Sequence, residues 1–456
     1  MSTEAFGERY LLETETAARL YSRVADLPIV DAHCHVSVPR IVENEPWNDI
    51  WEVQGETDHY VWEVMRKRGV PEEKVTGGTS NREKWDALAE VMPEIAGNPV
   101  YDWLHLDLKN RFGIEEPVSA DTADGIWEQT QKALQDESMK PQQVLRDMGV
   151  EAVCSTDDPA DSLDDHRRAA EEIDGVSVLP TWRPDTYMCL EKDEWEPALK
   201  SLAKKTDRDL GELSGLLEAL RETHEEFDEC GCRASDHGVE RAISHRVPEG
   251  RAERIYQKAR GGERLKDSEV ADFKSFMLHQ FAAMNRDAGW VMQLHIGAVR
   301  DYRHSLYEAL GADSGGDVST LNIDMTNDLQ GLLNAFDGEL STVIYCLNPG
   351  HYPSIATLTR AFPNVSMGAP WWFNDSPPGI RHQLEMTAAV DVLANHAGMV
   401  SDSRKILSYG SRMEMFRRCL CDVLGCMIER GRMPEEVAGD LAEHLSYRRP
   451  QQLFGL

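Results

Sequence analysis

Short apolar runs recur along this chain, each followed by polar residues and then by a helical stretch. Leu27-Pro28-Ile29-Val30 leads into Asp31-Ala32-His33-Cys34-His35. Val150–Cys154 precedes Ser155-Thr156-Asp157-Asp158-Pro159, and Val176–Pro180 precedes Trp182-Arg183-Pro184-Asp185. A weaker run at Phe227–Arg233 precedes Ser235-Asp236-His237-Gly238. Val291–Leu294 precedes His295-Ile296-Gly297, and Thr342–Leu347 precedes Asn348-Pro349. Val365–Met367 precedes Gly368-Ala369-Pro370-Trp371-Trp372, and Met399-Val400 precedes Ser401-Asp402-Ser403-Arg404. These runs predict eight strands alternating with helices, the pattern of an α/β protein built as a (β/α)8 barrel. The polar residues always fall at the C-terminal strand ends. A packed core gives no reason for that regularity, whereas a barrel that does chemistry at its top face does.

The segments between the runs read as helical. Leu11, Leu12, Ala17, Leu20, Tyr21 and Val24 give residues 8–26 one apolar face, which predicts a helix ahead of the first strand. Residues 40–148 show no strand alternation, and Pro46, Pro71, Gly77-Gly78, Pro93 and Pro99 interrupt helical patterns there. They predict a helical insertion between the first two strands, with most of its aromatic residues packing against the barrel. Residues 190–226 carry charges of both signs and predict a solvated excursion between the third and fourth strands. Residues 410–449 predict closing helices. With no repeat, linker or low-complexity tract, residues 1–456 are expected to form a single barrel domain.

His33 and His35 are the first chemical signal. Strand alternation points both to one face, about 7 Å apart along the strand, where they can converge on one divalent metal. Asp402, at the end of the eighth strand and so beside the first in a closed barrel, adds a carboxylate. Such a set leaves open positions on the metal, as catalytic sites do. It suits Zn²⁺ above all, with Mn²⁺, Fe²⁺ or Co²⁺ as alternatives. Asp402 could instead act mainly as a proton-transfer base beside a weakly held metal that is not strictly required. Arg183 and Arg404 supply guanidinium groups that grip a carboxylate in a planar, two-bonded geometry. His59, Tyr60, Asp236, His237 and His295 form a third group. Tyr60 could donate a proton or bond a sugar oxygen, and His295 could reach metal or substrate. Trp371 and Trp372 place two indoles at a strand end, where they could stack on a sugar face. No nucleotide-binding glycine loop or serine-hydrolase elbow is present.

Composition narrows the partners. The formal charge of −32 argues against nucleic acid and anionic membranes, both polyanions, and the arginines at the barrel mouth suggest a locally basic pocket for a small acidic ligand. An acidic surface in which arginine outnumbers lysine suits a high-salt cytoplasm, where charge repulsion is screened. A merely acidic, very soluble enzyme is the plainer alternative. No segment approaches the ~20 apolar residues of a membrane span. Met1–Tyr10 carries Glu4, Glu8 and Arg9 rather than the apolar core of a signal peptide, so a cytoplasmic location is expected. The nine cysteines are odd in number and scattered, and read as reduced and structural. Oligomeric state stays open, a homo-oligomer included.

Together these motifs resemble the uronate isomerase (glucuronate isomerase) family of the amidohydrolase superfamily. The resemblance is carried by Asp-Ala-His-Cys-His at 31–35, Thr-Asp-His-Tyr-x-Trp at 57–62, Ser-Thr-Asp-Asp-Pro at 155–159 and Trp-Arg-Pro-Asp at 182–185. Gly-Cys-Arg-Ala-Ser-Asp-His-Gly at 231–238, Gln-Leu-His-Ile-Gly-Ala at 293–298, Leu-Asn-Pro at 347–349, Trp-Trp-Phe-Asn-Asp at 371–375 and Ser-Asp-Ser-Arg at 401–404 continue it. It implies a metal-binding barrel and reversible conversion of D-glucuronate to D-fructuronate and of D-galacturonate to D-tagaturonate. His33, His35 and Asp402 would be the metal residues, with Asp402 moving the proton between C2 and C1. Arg183, Arg404, His59 and Tyr60 would hold the carboxylate and hydroxyls, and Tyr60 and His59 would assist the proton transfer. His295 and Trp372 join the substrate contacts. The chain departs from the family at Asp301-Tyr302-Arg303 and at Met413 and Met415, positions that bear on substrate preference.

Two other readings compete. A metal-dependent hydrolase of a small acidic amide or lactone needs a tightly held metal that activates water, commonly with a carboxylated lysine between two metals. Lysine is absent from the strand-end motifs above, which disfavours the two-metal version. A non-catalytic sugar-acid-binding relative would be expected to lose Asp402 or one histidine of the pair, and neither is lost.

Overall fold

Strand β1 (Ile29–Asp31) pairs in parallel with β2 (Val150–Cys154), and β2 with β3 (Ser177–Leu179). A computed structural model describes residues 5–456 of the chain. Residues 1–4, part of the segment read as lacking a signal peptide, lie outside the described residues. A second parallel sheet runs β4 (Ala234–Val239), β5 (Val291–Ile296), β8 (Thr342–Cys346) and β9 (Val365–Met367). Between β5 and β8 the chain also makes a small antiparallel pair, β6 (Ala298–Val299) and β7 (Val318–Ser319).

Single backbone bonds join the two sheets into a ring. Trp182, just past β3, bridges to Asp157 on one side and to Ser235 on the other, both in parallel. On the far side, residues 397–403 run between β9 and β1. The Ala397 N–H donates to the Met367 carbonyl at 2.9 Å. The Asp402 N–H donates to the His33 carbonyl at 3.1 Å, and the His35 N–H to the Ser403 carbonyl at 2.8 Å. The result is a parallel α/β barrel whose eighth element is extended backbone rather than a regular strand. Gly398 and Asp402 both lie in the left-handed region, at φ +90° and +48°, which breaks the ladder there.

The predicted fourth strand is displaced. Phe227 belongs to the last turn of a helix, Leu213–Glu229, and is fully buried by it. The strand itself forms on Ala234–Val239, a sequence so polar that the apolar-run criterion passed over it. Its alternation divides its residues between two faces. Asp236 turns toward the barrel interior, while Ser235 and His237 turn outward and bond each other at 2.8 Å. The 190–226 stretch also differs from expectation, since Leu216, Leu217, Leu220 and His224 are buried on one helical face rather than solvated.

Between β1 and β2 the described elements are all helical, including His59–Lys67 and Pro99–Phe112. The long helix Ser408–Glu429 lies against the first helix, Glu15–Val24, and is buried on most of its surface. Gly425 permits that approach, because a Cβ there would strike Ala17. All nine cysteines are free. Among the described residues no helix is long and apolar enough to cross a membrane.

Candidate active site

Period-two alternation carries Asp31, His33 and His35 on one face of β1 and its extension, while Cys34 turns into the core. Asp31 is fully buried. Its carboxylate accepts the Ser401 N–H at 2.9 Å and the Ser401 hydroxyl, which latches the eighth element against the first. That latch brings the next residue, Asp402, over the histidine pair. Asp402 Oδ1 lies 3.1 Å from His33 Nε2 and 3.2 Å from His35 Nε2, and Oδ2 accepts the Trp371 indole N–H at 2.9 Å. Burial pushes the Asp402 carboxyl up, but the bonds from His33 and His35 outweigh it and hold it well below the usual carboxylate range.

A second cluster shares His33. The Asp236 carboxylate accepts His295 Nδ1–H at 2.6 Å, and the two imidazoles of His33 and His295 stand 4.3 Å apart. The His295 ring lies flat on Tyr345, with centroids at 4.2 Å. Burial pushes the His295 imidazole down to about 4, so it is neutral, with its proton on Nδ1 and Nε2 free to accept.

Both groups open into a cavity of 480 Å³ at the C-terminal mouth of the barrel. Its wall includes His33, His35, His59, Arg183, His295, Trp372, Asp402 and Arg404, all of them expected site residues. Tyr60 does not line it. Its ring stands behind His59, with centroids at 4.7 Å, and the Arg412 guanidinium lies 5.0 Å over its other side. His237 is likewise turned away and stacks on Phe281. Burial, with the nearby Arg404 charge, pushes His59 down to about 4.

The cavity also holds Thr156, Asp185, Arg300 and Asp313, to which sequence reasoning assigned no site role, and Asp301, noted above only as a departure from the family. Thr156 and Asp185 belong to motifs already noted, but Arg300 and Asp313 sit in an irregular segment where periodicity carries no signal. Eight non-glycine residues have positive φ among the described residues, and four of them, Asp301, Asp313, Trp372 and Asp402, line this one cavity. Such backbone strain concentrates at functional sites.

The three arginines are not equivalent. Arg183 Nε bonds Asp185 at 3.1 Å and its Nη1 meets Asp236 at 3.2 Å, so two carboxylates compensate it. Gly238 makes room for this, because a Cβ there would collide with the guanidinium. Arg300 lies 4.7 Å over the Trp372 ring and pairs with Asp317 at 3.1 Å. Arg404 meets Asp313 at a looser 3.6 Å.

Ligand atoms of His33, His35 and Asp402 all lie within 4.8 Å of one another, and so do those of His33, Asp236 and His295. Two imidazole nitrogens and a carboxylate oxygen at that spacing fit a divalent cation. Buried His33 Nδ1 and His295 Nε2 have no hydrogen-bond partner among the described residues, which adds unspent donor capacity at the same place.

A parallel barrel with two histidines past its first strand and an aspartate of its eighth element at the mouth has the fold of the metal-dependent hydrolase type of barrel. The family described as glucuronate isomerase matches residues 2–454. The chain belongs to that family and is an isomerase. It is 52% identical over 448 residues to the uronate isomerase of Thermotoga petrophila, covering 98% of this chain and 99% of that one. The crystal structure of uronate isomerase from Thermotoga maritima superposes with a TM-score of 0.97 at 52% identity, covering 98% of this chain and 99% of that one. That of glucuronate isomerase from Caulobacter crescentus gives 0.95 at 27% identity, covering 99% and 97%. A metal-dependent hydrolase structure from Lactobacillus casei shares the fold alone, with a TM-score of 0.58 at 14% identity over 96% of this chain and 97% of that one.

Proposed function

We propose that the chain interconverts D-glucuronate with D-fructuronate, and D-galacturonate with D-tagaturonate, in the cytoplasm. The reaction moves one proton from C2 to C1 of the open-chain sugar and one hydroxyl proton from O2 to O1. The single observation behind this reading is the Asp402 carboxylate, ionised and held at the mouth of the barrel between the Nε2 atoms of His33 and His35 and the Trp371 indole N–H. Asp402 takes the C2 proton as the C1=C2 double bond forms, and returns it to C1 as the ketone forms at C2. His59, neutral and on the cavity wall, suits the exchange of hydroxyl protons, with Tyr60 backing its ring. Arg404 takes the substrate carboxylate. Arg183, already paired, orients Asp236 and through it His295, which accepts a sugar hydroxyl, while Trp372 covers a sugar face. His33, His35 and Asp402 would hold one divalent cation, Zn²⁺ first among Mn²⁺, Fe²⁺ and Co²⁺. When bound, such an ion stabilises negative charge on an enediolate oxygen.

Incubation with D-glucuronate in deuterated water, followed by NMR, tests the reading. Ketose is expected, with deuterium at C1 only to the extent that the proton held by Asp402 exchanges with solvent before it is returned. No ketose from either uronate, at low or high salt, would turn the assignment toward hydrolysis on the same barrel.

A further inference from the structure

Beyond β5 the chain leaves the barrel and forms a strap across the cavity mouth. β6 and β7 pair at its root, and a helix at His304–Leu310 lies along it. Its far side is tied to the helix His59–Lys67. Glu63 accepts the Gly316 N–H at 3.1 Å, and Arg66 donates to the Ser314 carbonyl while Glu72 holds Arg66 at 2.7 Å. Arg300, Asp301 and Asp313 thereby become part of the cavity wall. Asp313 is next to the anchored Ser314 and has φ +57°, which aims it by backbone conformation rather than by packing.

The partners of the arginines single Asp313 out. Arg183 is compensated by two carboxylates and Arg300 by Asp317. Arg404 has only the 3.6 Å contact to Asp313, and its buried Nε has no acceptor among the described residues. A guanidinium satisfied by one loose contact retains capacity for a planar, two-bonded carboxylate. Asp313 therefore stands near the place a ligand carboxylate would take.

We propose that Asp313 is an internal stand-in for the substrate carboxylate, holding Arg404 until a uronate displaces it, so that the strap sets affinity for acidic sugars. This rests on the isomerase reading above. The Asp313 side chain is 69% exposed, and an exposed ion pair contributes little. Exchange of one carboxylate for another then needs a side-chain rotation, with the anchors at Ser314 and Gly316 unmoved. A neutral sugar cannot make the exchange, because it would leave Arg404 without an anion. Selection of acidic over neutral sugars thus comes from the guanidinium, while its resident competitor lowers affinity for the acid alone.

The test is Asp313→Asn, which tolerates the left-handed backbone. Steady-state kinetics with D-glucuronate are compared with competitive inhibition by D-glucuronamide, in which an uncharged amide replaces the carboxylate. KM for D-glucuronate is expected to fall about threefold, the factor an exposed ion pair commands, with kcat moving less. The inhibition constant of the amide should stay unchanged. A raised or unchanged KM, or an equal shift for both ligands, overturns the proposal. Wild-type protein that isomerises neither uronate fails the isomerase reading instead. In that event calorimetric binding of D-glucuronate and of D-glucuronamide to both proteins gives the same comparison without turnover.

Discussion

Lys405 Nζ lies 2.9 Å from the Asp58 carboxylate, with both side chains almost wholly withdrawn from solvent. Asp58 caps the helix His59–Lys67 by accepting the Tyr60 N–H at 2.9 Å, and Lys405 immediately follows Arg404. One buried ion pair therefore fixes His59, on the helical insertion, relative to Arg404, at the barrel mouth. Burial pushes the Asp58 carboxyl up, but Lys405 and Arg412 together with His59 outweigh it and hold it below its ordinary value.

Removing one member of such a pair strands the other charge. Lys405→Met is expected to lower stability by about 3 kcal/mol. Pairing it with Asp58→Asn should recover part of that loss, because no isolated charge remains. Urea denaturation of the two single variants and the double variant measures the coupling. Additive losses would show that the two side chains act independently.

Asp402→Asn should leave the fold intact and lower kcat by about 10³-fold, since an amide cannot take the C2 proton. Circular dichroism and NMR detection of ketose separate these two effects. Metal content by elemental analysis gives a third readout. His33→Asn/His35→Asn should lose bound cation, whereas Asp313→Asn should not. Wild-type rates in Asp402→Asn would remove Asp402 from the mechanism.

The barrel and the centre of its site were legible because their signals are local. Val150–Cys154 and Val291–Ile296 are apolar runs, and Asp31, His33 and His35 follow a period of two. The fourth strand was not legible, since its inward Asp236 and outward His237 are satisfied by partners distant in sequence, His295 and Asp185. Arg183 and Arg404 look alike as strand-end arginines, and only the fold shows that Asp185 and Asp236 occupy the first while Asp313 loosely touches the second. Residues 397–403 pair through single bonds rather than a ladder, so Met399-Val400 predicted a position correctly but not a regular strand.

Asp157 gives a pH dependence that lies outside the catalytic cluster. Burial raises its carboxyl from 3.8 to about 7, against the opposing bonds from Ser155 and the Thr181 N–H. A folded-state value above the unfolded one means that the folded chain binds the extra proton between pH 3.8 and about 7. The stability tied to that proton is complete below the unfolded value and is lost as pH rises through the folded one. Asp157→Asn carries no proton to lose. It should match wild type near pH 4 and become progressively more stable than wild type up to about pH 7, above which the gap is constant. Denaturation midpoints from pH 5 to 8 follow the gap, and a pH-independent difference would refute the assignment.

Trp371 offers the sharpest separation of orientation from packing. Its indole N–H donates to Asp402 Oδ2 at 2.9 Å, while its ring packs 4.8 Å from His295. Trp371→Phe keeps an aromatic face against His295 and removes only the donor. A hydrogen bond to a charged carboxylate is worth enough that its loss should lower kcat about tenfold. KM should change less, because the carboxylate contact proposed above is Arg404 and not Trp371. The remaining Asp402 oxygen contacts, to His33 and His35, both use Oδ1, so Oδ2 would be left free to rotate. A raised KM with unchanged kcat would mean that Trp371 serves the sugar face and that Asp402 needs no third donor to stay aligned.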